Sequence, residues 1–223
     1  MGRVVLVSDV QTPLGEELAR RYLAEGARVA VTRSNQQSRE SPMVSESDGL
    51  LLTDWNRRSP ISTRNVLLSV ANHFGRIDEA VVVHCPTVEA SLLSETTYES
   101  IERAVDVWLK GTLFLVKGLL EALAPQGRLA LVHYTPQDAG TSLPPLEATL
   151  RGAFKALAQS LMDTGGPRGL PVHGIESFST PARDFAGFIV ETLIARGEKP
   201  SGKWLRFQPR SGLLAPLRSL MGS

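Results

Sequence analysis

The sequence predicts a single-domain α/β protein, residues 1–223, built as a doubly wound parallel sheet with helices on both faces. Short apolar runs suited to strands buried on both faces recur along the chain, and they alternate with segments of helical apolar spacing. The opening segment, VVLVSDVQTPLGEELARRYLAEGARVAVT, fits strand, turn, helix and parallel strand into about 30 residues, the length of one βαβ unit. At 223 residues, 42% hydrophobic and 21% charged, the chain can bury one large core.

Val4 to Val7 is the first strand. Glu16 to Glu25 carries Leu18, Ala19, Tyr22 and Leu23 at helical spacing, Gly26 ends that helix, and Val29 to Val31 begins the second strand. Ligands of such sheets lie beyond the carboxyl ends of the strands, so the turn Ser8 to Gly15 faces any ligand. The polar stretch Ser34 to Asp48 is expected to be an exposed connection, and Gly49 to Leu52 leads into a strand ended by Asp54. Further on, a buried strand closes FGRIDEAVVVHC (74–85), a long helix covers 98–123, and GRLALVHY (127–134) is the fifth strand. A helix over 147–162, the strand PVHGIESF (171–178) and a helix from about Asp184 complete the core.

Composition narrows the function. A net charge of +1 argues against a nucleic-acid partner, the single cysteine, Cys85, excludes an intramolecular disulfide, and no apolar run reaches membrane-spanning length. Together these predict a cytoplasmic protein whose start, MGRVVLVSDV, is a core strand rather than a signal peptide.

Several motifs resemble the short-chain dehydrogenase/reductase family, whose turn pattern is T-G-x-x-x-G-x-G. Here that turn reads Ser8-Asp9-Val10-Gln11-Thr12-Pro13-Leu14-Gly15, keeping only the last glycine. FGRIDEAVVVHC is similar to the family's FGRIDVLVNNAG, and AVDVWLKGTLFLVKGLL (104–120) is similar to its central helix. The resemblance implies a Rossmann-like fold and NAD(P) binding near Ser8, Gly15, Arg33 and Asp54. Asp54 stands where the family places an aspartate near the adenine, and Arg33 where a basic residue can meet a 2′-phosphate. Pro13 removes an amide donor and Asp9 adds a carboxylate, so the expected cofactor is none or weakly bound NAD(P).

The resemblance also locates the catalytic set. No Tyr-x-x-x-Lys occurs: the residues four places after Tyr22, Tyr98 and Tyr134 are Gly26, Glu102 and Asp138. Trp108 stands at the family's asparagine, Tyr134 at its serine with Thr135 one step away, Leu143 at its tyrosine and Glu147 at its lysine. Leucine cannot transfer a proton, and Glu147 inverts the charge that lowers a phenol pKa. Glu176, Ser177 and Phe178 replace the family's Ala-Pro-Gly, and the lid region near 178–184 is shortened. Lys155, about 12 Å beyond Glu147 by helical rise, is too far along to replace the lysine.

The reading that follows is a protein without ordinary dehydrogenase activity, a non-catalytic scaffold or the partner subunit of an active enzyme of the family. Two alternatives stand beside it: a divergent NAD(P)H-dependent oxidoreductase with a site rebuilt around Tyr134, or a sensor that binds a nucleotide or small ligand without reacting. His84 and Cys85, adjacent on a strand, point to opposite faces and are expected to pack rather than bind a metal. The family's subunit helices correspond to 98–123 and 147–162, where Ile101, Val105, Trp108, Leu109, Leu113, Leu150, Ala153, Phe154, Leu157 and Leu161 extend beyond one stripe. A homo-oligomer, or a hetero-oligomer with a paralogue, is expected through these helices. The tail 211–223 has a short amphipathic pattern suited to docking.

Overall fold

A computed structural model describes residues 2–34, 49–88, 92–135, 143–178, 181–196 and 202–208. The expected loop 34–48 from residue 35 on, residues 179–180 of the lid region and the tail 211–223 lie outside the described residues.

Seven parallel strands form one sheet in the order β3-β2-β1-β4-β5-β6-β7. They are β1 (Val4–Val7), β2 (Arg28–Ser34), β3 (Leu50–Trp55), β4 (Glu79–His84), β5 (Arg128–Tyr134), β6 (Val172–Ser177) and β7 (Leu205–Arg206). The chain winds outward from β1 through β2 to β3, then returns to β4 on the other side. The switch point of this doubly wound sheet therefore lies between β1 and β4.

The helices are α1 (Pro13–Ala24), α2 (Pro60–Phe74), α3 (Tyr98–Ala104), α4 (Gly111–Ala122), α5 (Pro145–Thr164) and α6 (Ala182–Arg196). Strand periodicity sorts the side chains between two cores. Val5, Val7, Val81, Val83, Ala130 and Val132 face α1 and α6. Val4, Leu6, Ala80, Val82, Leu129 and Leu131 face α2, α4 and α5. At the amino ends of the strands, Tyr22 donates its hydroxyl proton to the buried Glu79 carboxylate, which also meets Arg128 at 2.6 Å and Arg3 at 3.5 Å. Burial first, and then the Glu79 charge, push the Tyr22 phenol well above its ordinary range. This network pins the sheet at the edge opposite the ligand crevice.

Two elements depart from expectation. Helix α1 begins at Pro13, not Glu16, because Thr12 caps it and proline at the first position loses no helical hydrogen bond. The helix expected over 98–123 is interrupted by a π-helical turn, Val105–Lys110, centred near Trp108. The apolar residues assigned to an outer face are mostly used within the chain. Leu150 and Phe154 are buried, and Ile101, Trp108 and Leu109 pack against Leu146 and Leu150, leaving Leu113 41% exposed.

Candidate functional site

The site is built from the residues just past the carboxyl ends of β1, β3, β4 and β5. After β1, Ser8 is buried, and its hydroxyl accepts the Val83 N–H at 2.8 Å, stitching β1 to β4. Asp9 stands at the first glycine of the family turn and adopts φ 66°, the left-handed conformation that a glycine would take there. Thr12 closes the turn: its amide and hydroxyl both bond the Asp9 carbonyl, at 3.0 and 2.8 Å, and its Oγ1 accepts the Gly15 N–H. A Cβ on Gly15 would lie 2.2 Å from that carbonyl, which explains the one surviving glycine sterically. The Asp9 and Val10 amides donate to Thr32, while those of Gln11 and Leu14 enter none of these bonds.

Asp9 does not face a bound phosphate with an unbalanced charge. Its carboxylate meets Arg57 at 2.6 Å, both side chains almost fully buried. The guanidinium is held between the Trp55 and Trp108 rings, 4.4 and 4.5 Å from their centroids. The contact lacks hydrogen-bond alignment, so Arg57 Nη2 has no hydrogen-bond partner among the described residues.

Glu147 is neutralised in the same way. Arg151, one turn along α5, donates one nitrogen to Glu147 and another to the Thr135 hydroxyl oxygen, with all three side chains buried. Leu143 lies two residues before α5 starts, so it is not one helical turn from Glu147. Glu176, buried on β6, is paired with Lys155 at 2.8 Å and Arg206 at 2.8 Å. Burial alone would raise its carboxyl pKa, but the hydrogen bonds from these two cations hold it below the ordinary range.

Residue parity decides which side chains of β5 reach the site. Tyr134 shares the face of Ala130 and Val132, stacks on Phe185 at 5.7 Å, and has its phenol pKa raised, first by burial and then by Cys85. His133 faces the opposite side, beside Phe154 and Phe178, and registers with His84 on β4. His84 stacks on Phe154 at 4.2 Å and meets Trp108 edge-on at 5.8 Å. Burial is the main cause of both histidines' low pKa values, well below ordinary for His84 and about 4 for His133. Cys85 lies with Tyr134 in the other core, its thiol pushed up to about 11, chiefly by burial. Arg33 and Asp54, in register on β2 and β3, form an exposed ion pair at 2.6 Å.

The arrangement thus brings together Asp9, Arg57, Trp108, His84, Thr135, Glu147 and Arg151. Arg57 and Arg151 were absent from the sequence-based site. The Glu147–Arg151 pair had a signal, four-residue spacing on a helix, whereas Asp9–Arg57 joins residues 48 positions apart with none.

Residues 10–190 match the sequence model of the family described as enoyl-(acyl carrier protein) reductase. The chain belongs to the short-chain dehydrogenase/reductase family. It is 24% identical over 219 residues to cis-1,2-dihydrobenzene-1,2-diol dehydrogenase of Pseudomonas putida, covering 91% of this chain and 79% of the relative. It is also 24% identical over 234 residues to cis-2,3-dihydrobiphenyl-2,3-diol dehydrogenase of Rhodococcus globerulus, covering 93% and 84%. A dehydrogenase/reductase from Sinorhizobium meliloti superposes with a TM-score of 0.78 at 18% identity, covering 92% and 93%. A short-chain dehydrogenase from Burkholderia cenocepacia in complex with NADP does so at 0.77 and 20%, covering 93% and 97%.

These relatives overturn the expectation of a non-catalytic scaffold or partner subunit: their company is that of dehydrogenases and reductases. The expectation rested on the altered turn, the replaced catalytic set and the shortened lid region, with Asp9, Glu147 and Glu176 set as charges opposing bound phosphates. Each has a cationic partner within the fold. No helix among the described residues is long and apolar enough to cross a membrane.

Proposed function

We propose that the chain is an NAD(P)-dependent oxidoreductase interconverting a small secondary alcohol and its carbonyl compound. The match of residues 10–190 to a reductase family carries this reading, and the dihydrodiol dehydrogenases among the relatives support an alcohol as the substrate class. The β1–α1 turn fits a dinucleotide pyrophosphate. Asp9 keeps the left-handed backbone, Gly15 keeps the close turn, and the Gln11 and Leu14 amides sit at the start of α1, where helix polarity favours an anion. Asp54 and Arg33, at the ends of β3 and β2, flank the adenosine side, with Arg33 exchanging Asp54 for a 2′-phosphate when one is present. Ser8 acts structurally, its hydroxyl accepting the Val83 N–H and so holding β1 against β4.

When bound near Ser8, Gly15, Arg33 and Asp54, a reduced nicotinamide cofactor would supply the hydride for the carbonyl carbon. The chain shapes the crevice with Trp108 and keeps its two buried arginines neutralised, so that a hydride acceptor meets no unbalanced charge. Thermal shift and calorimetric titration with NADPH and NADH test the reading. Ligand at a hundred times its Kd stabilises by about 2.7 kcal/mol, roughly 5–10 °C for a domain of this size. No shift with either nucleotide would refute it.

A further inference from the structure

We infer that Lys155 and Arg206, held beside the Phe178 ring at the crevice end of β6 and β7, bind a carboxylate of the substrate, so that the reaction interconverts a hydroxy acid and its oxo acid. This rests on the oxidoreductase reading and names its substrate class.

Glu176 draws the two cations together. It is buried on β6 and accepts hydrogen bonds from Lys155 at 2.8 Å and from Arg206 Nε at 2.9 Å. One cation neutralises one carboxylate, so a positive charge is left over, and among the described residues neither cation meets a second acid. An ammonium carries three donors and a guanidinium five, so both keep N–H groups beyond those spent on Glu176. Their side chains are 36% and 57% exposed, open to a ligand. Aromatic rings hold them in place. Lys155 Nζ lies 5.8 Å from the Phe178 centroid and 5.3 Å from that of Trp204, and the Arg206 guanidinium carbon lies 5.2 Å from Phe178.

The pair borders the crevice. Phe178 follows Ser177, whose carbonyl accepts the Thr135 N–H at 3.1 Å, which sets the cations beside Thr135, Arg151 and Glu147. His133 adjoins them on the inner side, 6.1 Å from Phe178 and 2% exposed, and neither of its ring nitrogens has a hydrogen-bond partner among the described residues. A buried imidazole without partners marks a place where a polar group of a ligand belongs. Burial, and next the charges of Arg151 and Lys155, hold its pKa at about 4, so near pH 7 it is a neutral donor of one N–H.

Glu79 also meets two arginines, but at the edge of the sheet opposite the crevice, where Tyr22 shares its carboxylate. At the crevice, a single surplus charge matches a monoanion, and the guanidinium fork suits a planar carboxylate. The Phe178 ring, 47% exposed, offers apolar cover to the carbon skeleton that joins the carboxylate to the carbonyl. Asp9–Arg57 and Glu147–Arg151 are each balanced, so the surplus charge lies only at the β6–β7 end of this site and orients the substrate. The carboxylate is drawn there and the carbonyl is left towards the switch point between β1 and β4. Since β6 stands two strands from β4, about 10 Å away, a spacer of several carbons separates the two groups.

The test uses the full chain with NADPH or NADH and two ketones that differ by one charge, 4-acetylbenzoate and its methyl ester. Wild type should reduce the acid with kcat/KM about tenfold or more above the ester, the worth of one charge-assisted hydrogen bond. Lys155→Gln and Arg206→Gln, each of which leaves Glu176 one cation, should each lower that ratio several-fold, through the KM for the acid. A general loss of structure lowers both substrates together and leaves the ratio in place. Independently of turnover, the imidazole nitrogen resonances of His133, identified by their loss in His133→Gln, should move with 4-acetylbenzoate and not with the ester. Reduction of both ketones with equal kcat/KM, a ratio retained by both variants, or no response of His133 to the acid would each overturn the assignment. A His133 response confined to the acid, with neither ketone reduced, would keep the carboxylate site and refute the oxidoreductase reading instead.

Discussion

Replacing Asp9 by glycine restores the residue that the family turn expects and removes a side chain from a left-handed conformation. On local grounds the change should stabilise, since a non-glycine residue at positive φ costs about 1–2 kcal/mol. Tertiary structure reverses the sign. The Asp9 carboxylate lies 2.6 Å from Arg57, whose side chain is only 5% exposed and is enclosed by Trp55 and Trp108. Removing one member of a buried pair leaves the other charge uncompensated, at a cost of about 3–5 kcal/mol. The net expectation for Asp9→Gly is a loss of about 1–4 kcal/mol, or roughly 2–16 °C in Tm for a domain of this size. Asp9→Gly combined with Arg57→Met should recover most of that loss, because the orphaned charge goes with its partner. Thermal denaturation of wild type, both single variants and the double variant gives the coupling energy. An Asp9→Gly variant as stable as wild type, or single-variant losses that simply add, would refute the reasoning.

Gly15→Ala forces a Cβ to 2.2 Å from the Asp9 carbonyl and should lower Tm further than Asp9→Gly, with loss of any dinucleotide-induced shift. His133, with a folded pKa of about 4 against the ordinary 6.5, is depressed by burial first, so its contribution to stability is present above pH 6.5 and is lost as pH falls towards 4. Integrated to pH 5, that is about 2 kcal/mol, and His133→Phe should flatten this part of the urea-unfolding profile between pH 7 and 5. Cys85, buried and with its thiol pushed up to about 11, should resist a disulfide reagent at pH 8 until the protein unfolds. We propose that Leu113, exposed on α4, is covered by a second subunit through helices 98–123 and 147–162, so Leu113→Glu should lower the mass measured by light scattering.

The order of strands and helices was legible because its signals are local. A strand buried on both faces announces itself as Val4 to Val7 or Ala80 to Val83, and a helix by its spacing, whatever packs against it. The absence of Tyr-x-x-x-Lys is equally a property of the sequence alone. Even the orientation of Tyr134 was implicit, since alternation from Ala130 and Val132 carries it to the α1 and α6 face. What the sequence could not decide was which charges meet. Asp9 and Arg57 follow different strands, and only the placement of β3 two positions from β1, with Trp108 on the π-helical turn beside them, brings the pair together. Thr135 and Arg151 likewise lie at the end of a strand and in a helix that crosses back over the sheet. Read singly, Asp9 and Glu147 look like losses, because a carboxylate's effect depends on distances of a few ångströms that hydrophobic periodicity does not encode. Sequence therefore determined the scaffold and the missing phenol–lysine pair, while tertiary structure decided that the buried acids are neutralised and that Arg151 holds the Thr135 hydroxyl.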